Sequence, residues 1–157
     1  LTMRIVQATP EHLDLLTPLF VKYRELYDAM PYPESSRSFL EKRLTRKESV
    51  IYLALADDED KLMGFCQLYP SFSSLSLKRV WILNDIYVCQ DARRQLVADR
   101  LIQTAKQMAK DTNAVRLRVA SSVGNDVAQK LYESIGFKED TEFKSFVLPI
   151  TEDFTAP

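Results

Sequence analysis

The stretch KRVWILNDIYVCQDARRQLVA, residues 78–98, decides the fold of this chain. Aromatic and β-branched residues run through its first part, 78–89, and predict a strand. After a short turn, apolar residues at helical spacing predict a helix over 93–110. The first N–H groups of a helix lack intrahelical partners, and the helix dipole adds positive character there. The strand-to-helix unit is therefore an anion site, with Arg93 and Arg94 placed at its entry to neutralise phosphates.

The rest of the chain supplies further strands and helices around this unit. Upstream, the sequence predicts a strand at 3–8, helices beginning at Thr9-Pro10 and spanning 35–46, and a hairpin of strands at 50–56 and 62–69. Downstream, it predicts a strand at 114–120, a helix at 125–135 ended by Gly136, and a last strand at 143–148. This order favours an α+β fold, a mixed sheet with helices on both faces.

Length and cysteine content set the domain organisation and the compartment. A chain of 157 residues suits one domain over 1–157. Leu1 and Thr2 precede Met3 and are interpreted as a cloning remnant, and 149–157 is expected to be a flexible tail. Apolar runs are too short to cross a bilayer, and the beginning of the chain has no signal-peptide pattern. Isolated cysteines indicate a reducing, cytoplasmic location.

Several function classes are argued against by what the sequence lacks. A formal net charge of −1 removes the electrostatic argument for a general nucleic-acid binder. His12 is the only histidine, so His-Cys zinc clusters and Ser-His-Asp triads are excluded, and no metal site is expected. With only three glycines, the chain has no glycine-rich phosphate loop.

Two stretches resemble the GNAT family, the GCN5-related N-acetyltransferases. DIYV at 85–88, RRQLVA at 93–98 and LI at 101–102 are similar to the family's acetyl-CoA signature. NDVAQKLYESIGF at 125–137 is similar to its second signature, with Asn, Ala, Leu-Tyr and Gly-Phe at the family's spacings. The resemblance implies the acyl-CoA N-acyltransferase fold, whose mostly antiparallel sheet is splayed between strands 4 and 5. It also implies acetyl-CoA as cofactor and an amine as acetyl acceptor.

The resemblance assigns the cofactor contacts residue by residue. Pantetheine would pair with the backbone of Ile86 and Val88, in a strand segment that includes Tyr87. The pyrophosphate would lie on main-chain N–H groups of a loop made by Arg93, Arg94, Gln95, Leu96, Val97 and Ala98. Asn125 and Ala128 would contact the cofactor from the following helix, with Tyr132 on the same helix face.

Two residues depart from the family's pattern in the pyrophosphate loop. Leu96 stands where the family has its first loop glycine, and its β-carbon would crowd a phosphate. Asp99 brings a carboxylate where a basic, small or hydroxylated residue is usual, which costs roughly 1–3 kcal/mol near a phosphate. The sequence leaves open whether they weaken acetyl-CoA binding.

The chemistry also requires a base and an acid. An amine with a lysine-like pKa is neutral in only about one molecule in 2,000 at pH 7, so a base must deprotonate it. Asp85 and Glu25 are the candidate bases, and Tyr132 corresponds to the family's tyrosine beside the thioester sulfur, the acid for the departing thiolate. Attack is expected to be direct, in a ternary complex, which makes Cys66 and Cys89 packing residues. Tyr23, Tyr27 and Tyr32 are candidates for the acceptor pocket.

Two other functions stay open on sequence grounds. The first is a degenerate CoA-binding or regulatory module with little turnover, motivated by Leu96 and Asp99. The second is a protein-interaction domain without cofactor. The expected partners are a small-molecule or protein amine, and a homodimer is compatible with this interpretation. Neither nucleic acid nor a membrane is expected as a partner.

Overall fold

The computed structural model describes residues 2–57, 61–93 and 96–151. Five strands of this part form one sheet: β1 (Met3–Gln7), β2 (Val50–Ala56), β3 (Leu62–Ser73), β4 (Lys78–Val88) and β5 (Arg116–Val119). They lie in the order β1-β2-β3-β4-β5. The first three pairings are antiparallel and the pairing of β4 with β5 is parallel. The predicted mixed, mostly antiparallel sheet is confirmed.

Within the described residues, four α-helices cover the two faces of the sheet: α1 (Leu13–Leu26), α2 (Pro33–Thr45), α3 (Val97–Asp111) and α4 (Asp126–Ile135). Alternation along the strands explains the two layers, since successive side chains of a strand point to opposite faces. In β2, Ile51 and Leu53 pack with α1 and α2, whereas Tyr52 and Ala54 pack on the side of α3 and α4. The prediction of helices on both faces is confirmed.

The hairpin of β3 and β4 is longer than the sequence indicated. The pattern predicted a strand ending at Tyr69, but pairing with β4 continues to Ser73. Phe72 lies opposite Arg79, and its ring lies 4.6 Å from the guanidinium carbon of that arginine. A cross-strand cation–π pair of this kind supports strand pairing beyond Tyr69.

The predicted last strand at 143–148 does not form. Residues 137–150 have no regular secondary structure, and the large apolar side chains after residue 142 are mostly exposed. Strand propensity becomes a strand only when a neighbouring backbone accepts the ladder hydrogen bonds, and no described strand does so here. Residues 149–151 of the predicted tail are irregular, and 152–157 lie outside the described residues.

No helix in the described part of the chain is long and apolar enough to span a bilayer.

Candidate active site

The sheet opens at the carboxyl-terminal half of β4. Parallel pairing with β5 joins Val80 to Arg116 and ends with Leu83 and Val119, whereas β4 continues to Val88. The backbone of residues 84–88 therefore has no strand partner on the β5 side among the described residues. The predicted splay between strands 4 and 5 is confirmed. Ile86, Tyr87 and Val88 all lie on this unpaired stretch.

A β-bulge at Asn84 re-aims the side chains of this stretch. Gln67 of β3 pairs with Asp85 and the next residue of β3, Leu68, pairs with Leu83, so Asn84 is an extra residue. A bulge shifts the in–out alternation by one position. Leu83 and Ile86, three positions apart, consequently pack on the same face, the side of α3. Asp85 is turned towards α1 instead.

The Asp85 carboxylate is buried and receives three hydrogen bonds. Its Oδ1 accepts from the Tyr23 hydroxyl at 3.1 Å and from Asn84 Nδ2 at 2.7 Å. Its Oδ2 accepts from Gln67 Nε2 at 2.5 Å, and the Oε1 of the same glutamine accepts from Ser49 Oγ at 2.8 Å. Asp85 is 3% exposed, and no described cation forms an ion pair with it.

Burial controls the protonation of this carboxyl. Loss of hydration raises the pKa of Asp85 above that of a free aspartate, and the bonds from Asn84, Gln67 and Tyr23 offset part of the shift. The pKa of the Tyr23 phenol is also raised, by burial first and then by the neighbouring carboxylate, so Tyr23 remains a donor. A carboxylate with a raised pKa accepts protons more readily at neutral pH.

A cleft of about 520 Å³ lies over Asp85. Half of its lining residues are aromatic, and Asn84, Asp85, Arg24 and two serines supply further polar groups; the lining residues are Phe20, Tyr23, Arg24, Tyr32, Ser35, Ser36, Phe39, Tyr69, Asn84 and Asp85. Two of the predicted pocket residues, Tyr23 and Tyr32, line it, and Tyr27 packs edge-on against Tyr23 with ring centroids 5.3 Å apart. Glu25, the other candidate base, is exposed and does not line the cleft.

The start of α3 carries the predicted phosphate-binding groups. Intrahelical bonding begins with the N–H of Arg100 donating to the carbonyl of Leu96. The N–H groups of Val97, Ala98 and Asp99 consequently have no described backbone acceptor, as at any helix start. Leu96 caps the helix in a left-handed conformation, with φ 61°, and is exposed.

Arg93 lies in the connection between β4 and α3, and its side chain points back to the end of β4 instead of to the helix start. Its Nε donates to the carbonyl of Val88 at 3.2 Å, and its guanidinium carbon is 5.8 Å from the centroid of the Tyr87 ring. These contacts hold the arginine beside the unpaired edge. Arg94 and Gln95, two other predicted cofactor residues, lie outside the described residues.

Gly64 lets α3 approach the sheet at this point. Gly64 is in β3 and lies opposite Val88 of β4. A β-carbon added to Gly64 would be 2.8 Å from the carbonyl oxygen of Tyr87 and 3.2 Å from Val97 Cγ1. The first separation is a steric clash with backbone and the second is a tight contact, so a side chain at position 64 would push β4 or the start of α3 away. No motif in the sequence indicates this role.

Asn125 and Ala128, the two cofactor contacts expected on α4, lie at the start of this helix. Asn125 is the N-cap, and its Oδ1 accepts from the N–H of Ala128 at 3.2 Å. Asparagine is a favoured residue for this position, because its side chain satisfies one of the free N–H groups. Asn125 therefore has a structural role in α4 that the resemblance to the family did not include.

Tyr132 lies one helical turn beyond Ala128 and is buried, with its ring edge-on to Phe137 at 5.7 Å. Its hydroxyl forms no hydrogen bond with a described residue. The oxygen keeps some access to solvent, since every fully buried side-chain N or O atom of the described residues has a partner. Burial of the ring raises the pKa of Tyr132, and the nearby Tyr27 phenol adds to the shift. The phenol is therefore a protonated donor without an acceptor in the described chain.

The two cysteines are poorly suited to nucleophilic catalysis. Cys66 is fully buried, and burial raises the pKa of its thiol to about 12. Burial also raises the pKa of Cys89, and its Sγ lies 3.0 Å from Asp91 Oδ1. The thiolate, which is the nucleophilic form, is disfavoured at both positions.

Sequence reasoning missed the polar residues around Asp85. Gln67 and Ser49 occupy ordinary strand and loop positions in the sequence, and their pairing depends on strand neighbours far away along the chain. The bulge did leave a signal in the sequence. Apolar residues alternate at 81 and 83 and resume at 86 and 88, so the period of two is broken at Asn84-Asp85.

Comparison with known proteins shows the family of the chain. Residues 14–137 match the model of the acetyltransferase (GNAT) family. The chain belongs to the GNAT family. A Bacillus subtilis (strain 168) protein named uncharacterized N-acetyltransferase YhfO is 38% identical over 148 residues, which cover 94% of this chain and 98% of that protein.

Solved structures give the same result for the fold. A crystal structure of a probable acetyltransferase has a TM-score of 0.92 and 77% identity, covering 95% of this chain and 99% of that one. The aminoglycoside N-acetyltransferase AAC(6')-Iy, solved in complex with CoA, has a TM-score of 0.78 at 22% identity, with 96% of each chain covered. The second similarity concerns the fold alone. This chain is therefore an acetyltransferase of the GNAT family by its sequence relatives.

Proposed function

We propose that this protein transfers the acetyl group of acetyl-CoA to a primary amine, by direct attack in a ternary complex. The observation that carries the proposal is the position of the buried Asp85 carboxylate, at the bulge where β4 loses its partner. One side of this point is an open strand edge, and the other is the aromatic cleft. A donor bound along the edge and an amine bound in the cleft would meet there.

The chain offers groups that fit acetyl-CoA. The unpaired backbone of Ile86 and Val88 can pair with the pantetheine amides as an added strand would. The N–H groups of Val97 and Ala98 at the start of α3, which have no backbone acceptor among the described residues, suit the pyrophosphate, and Arg94 and Gln95 belong to the same proposal. Bound there, the cofactor supplies an activated acetyl group as a thioester. Support from relatives comes from the fold neighbour solved with CoA.

Asp85 is the proposed general base. The acceptor enters as an ammonium ion, and its proton passes to the Asp85 carboxylate, directly or through one water. The neutral amine then forms the new C–N bond at the acetyl carbonyl carbon. N–H groups of the open β4 edge stabilise the oxyanion of the tetrahedral intermediate. Glu25 is a weaker candidate, because it is exposed outside the cleft.

Tyr132 is the proposed general acid. As the C–S bond breaks, the CoA thiolate takes the proton of the Tyr132 phenol, and the proton that the attacking nitrogen must still lose passes through water to the resulting tyrosinate. Tyrosine is a weaker acid than a cysteine thiol, with reference pKa values near 10 and about 8.5, so the transfer costs roughly 2 kcal/mol and must accompany the breaking of the C–S bond. The free hydroxyl of Tyr132 supports the assignment, since no described residue competes for its proton.

The acceptor class proposed from the cleft is a primary amine on a small molecule or a protein. Aromatic walls suit an ammonium ion through cation–π contact, and Asp85 at the base of the cleft complements its charge. We also propose a homodimer, because the chain after α4 exposes large apolar side chains that a monomer would leave in water.

A degenerate CoA-binding module is the alternative, and Asp99 favours it. This carboxylate lies in the first turn of α3, beside the N–H groups that would receive the pyrophosphate. Release of the CoA thiol from acetyl-CoA, measured over a panel of diamines, amino sugars, amino acids and peptides, tests the proposed function. Amine-dependent release supports transfer, and calorimetric binding of acetyl-CoA without release for any amine indicates the module. Absence of binding at millimolar acetyl-CoA indicates a protein-interaction domain.

A further inference from the structure

Arg24 places a positive charge in the wall of the aromatic cleft. It lies in the last turn of α1, is half-buried, and lines the cleft together with Tyr32. No carboxylate of the described residues forms an ion pair with it. A charge that is partly removed from water without a counter-ion is costly, and a bound anion would offset that cost. The proposed mechanism does not use this arginine.

The guanidinium of Arg24 is held through one of its three nitrogens. Its Nη1 donates to the carbonyl of Met30, to the carbonyl of Pro31 at 2.9 Å and to Ser36 Oγ at 3.4 Å. Neither Nε nor Nη2 donates to any described residue. These two nitrogens form an edge with two parallel N–H donors, a geometry that matches the two oxygens of a carboxylate. The bonds of Nη1 therefore position a donor pair that the described chain itself does not use.

Asp85 supplies the opposite charge in the same cleft. Its carboxylate comes from β4 of the sheet, whereas Arg24 comes from α1 and contacts the first turn of α2 through Ser36. The other described lining residues are aromatic residues, serines and an asparagine, which carry no formal charge at neutral pH. The cleft consequently has one anionic and one cationic group, on different walls.

We propose that the acetyl acceptor is a small amine that also carries a carboxylate, and that Arg24 binds this carboxylate while Asp85 receives the ammonium group. This assignment rests on the proposed acetyl transfer and names its acceptor class. A molecule with one charge of each sign complements both groups, whereas a diamine or an amino sugar would bring a second cation towards Arg24. A volume of about 520 Å³ is also usual for a small-molecule site.

The carboxylate of the acceptor takes no part in bond formation. The ammonium group gives one proton to Asp85, the nitrogen forms the C–N bond as the C–S bond breaks, and its second proton leaves through water. The product is an N-acetyl carboxylate with a neutral amide nitrogen. It keeps the contact with Arg24 and loses the attraction of Asp85, which favours its release.

Acetylation kinetics on matched amines tests the role of Arg24. A set of α- and ω-amino acids, from glycine to 6-aminohexanoate, is compared with the carboxamide of each, which has the same size without the negative charge. In the parent protein, kcat/KM for the preferred amino acid should exceed that of its carboxamide by about 10–100-fold, the usual contribution of a hydrogen-bonded charge. Arg24→Gln should bring this ratio close to one.

Arg37→Gln is the matched control. Arg37 lies on α2, does not line the cleft, and pairs with the exposed Asp14 at 2.6 Å, so its loss should leave the ratio as in the parent. A guanidinium that served only to hold the chain between α1 and α2 would, when replaced, lower both rates and leave the ratio unchanged. That outcome, or a parent ratio of one or less, overturns the proposal.

Calorimetry with the same compounds, in the presence and absence of CoA, separates this proposal from acetyl transfer itself. Transfer to carboxamides without preference for amino acids would overturn the carboxylate site and support acetyl transfer. Binding of an amino acid that Arg24→Gln abolishes, without thiol release, would support the site and contradict acetyl transfer. If no amino acid of the set binds or reacts, the carboxylate site is overturned, and the wider amine panel still decides whether transfer occurs.

Discussion

The hydroxyl of Tyr23 donates a hydrogen bond of 3.1 Å to Oδ1 of Asp85, across 62 positions of sequence. This bond connects α1 to the bulge of β4, and through Gln67 the same carboxylate is tied to β3. Three donors from three elements hold a charge that burial alone would disfavour. A carboxylate that serves only to join the elements would leave turnover intact when replaced by a neutral group of the same shape. Replacing a catalytic base in this way would lower turnover, so a neutral substitution at position 85 distinguishes the structural role from the catalytic one.

Asp85→Asn is expected to lower kcat by about 10²–10⁴-fold, the usual contribution of a positioned base. The local hydrogen bonds can be kept if the side-chain amide of Gln67 turns over. The Gln67 oxygen would then accept from the new amide at position 85, and the Gln67 nitrogen would donate to the Ser49 hydroxyl, which can accept as well as donate. Steady-state kinetics on any acceptor found in the amine panel measures the effect. Glu25→Gln is the matched control and should leave kcat within about threefold. Equal losses for both variants would contradict the assignment of Asp85.

Asp85 should also make stability depend on pH. Its pKa is raised in the folded protein, so the folded state holds the proton more tightly than the unfolded chain, whose aspartates titrate near 3.9. The resulting stabilisation is complete below the unfolded pKa and is lost as pH rises through the folded pKa. Unfolding by urea from pH 3.5 to 8 should therefore show the free energy of unfolding of Asp85→Asn rising relative to the parent above about pH 4. A constant difference between the two proteins over this range would show that Asp85 titrates normally.

Gly64→Ala tests the close approach of α3 to the sheet. The new β-carbon would lie 2.8 Å from the Tyr87 carbonyl oxygen, and backbone must move to accept it. A cost of about 1–3 kcal/mol in the free energy of unfolding is expected, as for overpacking elsewhere. Gly124→Ala is the control, because nothing lies within 4 Å of its added β-carbon. If both variants unfold at the same denaturant concentration, the approach at Gly64 is not tight.

Leu96→Gly tests the strain at the start of α3. A left-handed conformation costs a residue with a β-carbon roughly 1–2 kcal/mol, which exceeds the loss of chain entropy of about 0.5–1 kcal/mol that glycine introduces. The variant should therefore be slightly more stable than the parent. Leu77→Gly, at another left-handed leucine with φ 55°, should be stabilised similarly. Only Leu96→Gly should change the affinity for acetyl-CoA in calorimetry. If Leu77→Gly changes this affinity as well, the effect does not come from closer approach of a phosphate to residue 96.

Local pattern predicted most of the fold, because the strands and helices of this chain follow their apolar periods. The helix that became α3 and the alternation of β2 are examples. One wrong prediction was the strand at 143–148, whose apolar residues do alternate but whose hydrogen-bonding partner is missing within the described chain. Propensity describes one strand, whereas a ladder needs two.

The candidate site was predictable only in part, because some of its contacts depend on how two strands pair. Family spacing pointed to Tyr132, whose hydroxyl forms no hydrogen bond with a described residue. Asp85 was one of two candidate bases, named for its place where the central strand was expected to splay, and it lines the cleft. The neighbours that hold Asp85 are set by strand register, since Gln67 faces it only through the pairing of β3 with β4. Register depends on both strands together and cannot be read from either alone.

Tyr132→Phe is the sharpest test of the proposed acid. It removes a hydroxyl that bonds to no described residue and keeps the ring that packs on Phe137 at 5.7 Å. The free energy of unfolding should therefore change by less than about 0.5 kcal/mol. Turnover should fall by about 10²–10⁴-fold, because the CoA thiolate would have to leave without a positioned proton donor.

Tyr52→Phe is the matched control, since Tyr52 is a partly buried tyrosine in β2, away from the cleft, whose pKa burial also raises. Its kcat should match that of the parent. Thiols with lower pKa values leave more readily without protonation, so an acetyl thioester of an acidic thiol should restore part of the lost turnover in Tyr132→Phe. A loss of acetyl-CoA affinity equal to the loss of turnover would assign the hydroxyl to cofactor binding. An unchanged kcat, with chemistry shown to limit the rate, would make Tyr132 a packing residue and leave the thiolate to be protonated by solvent.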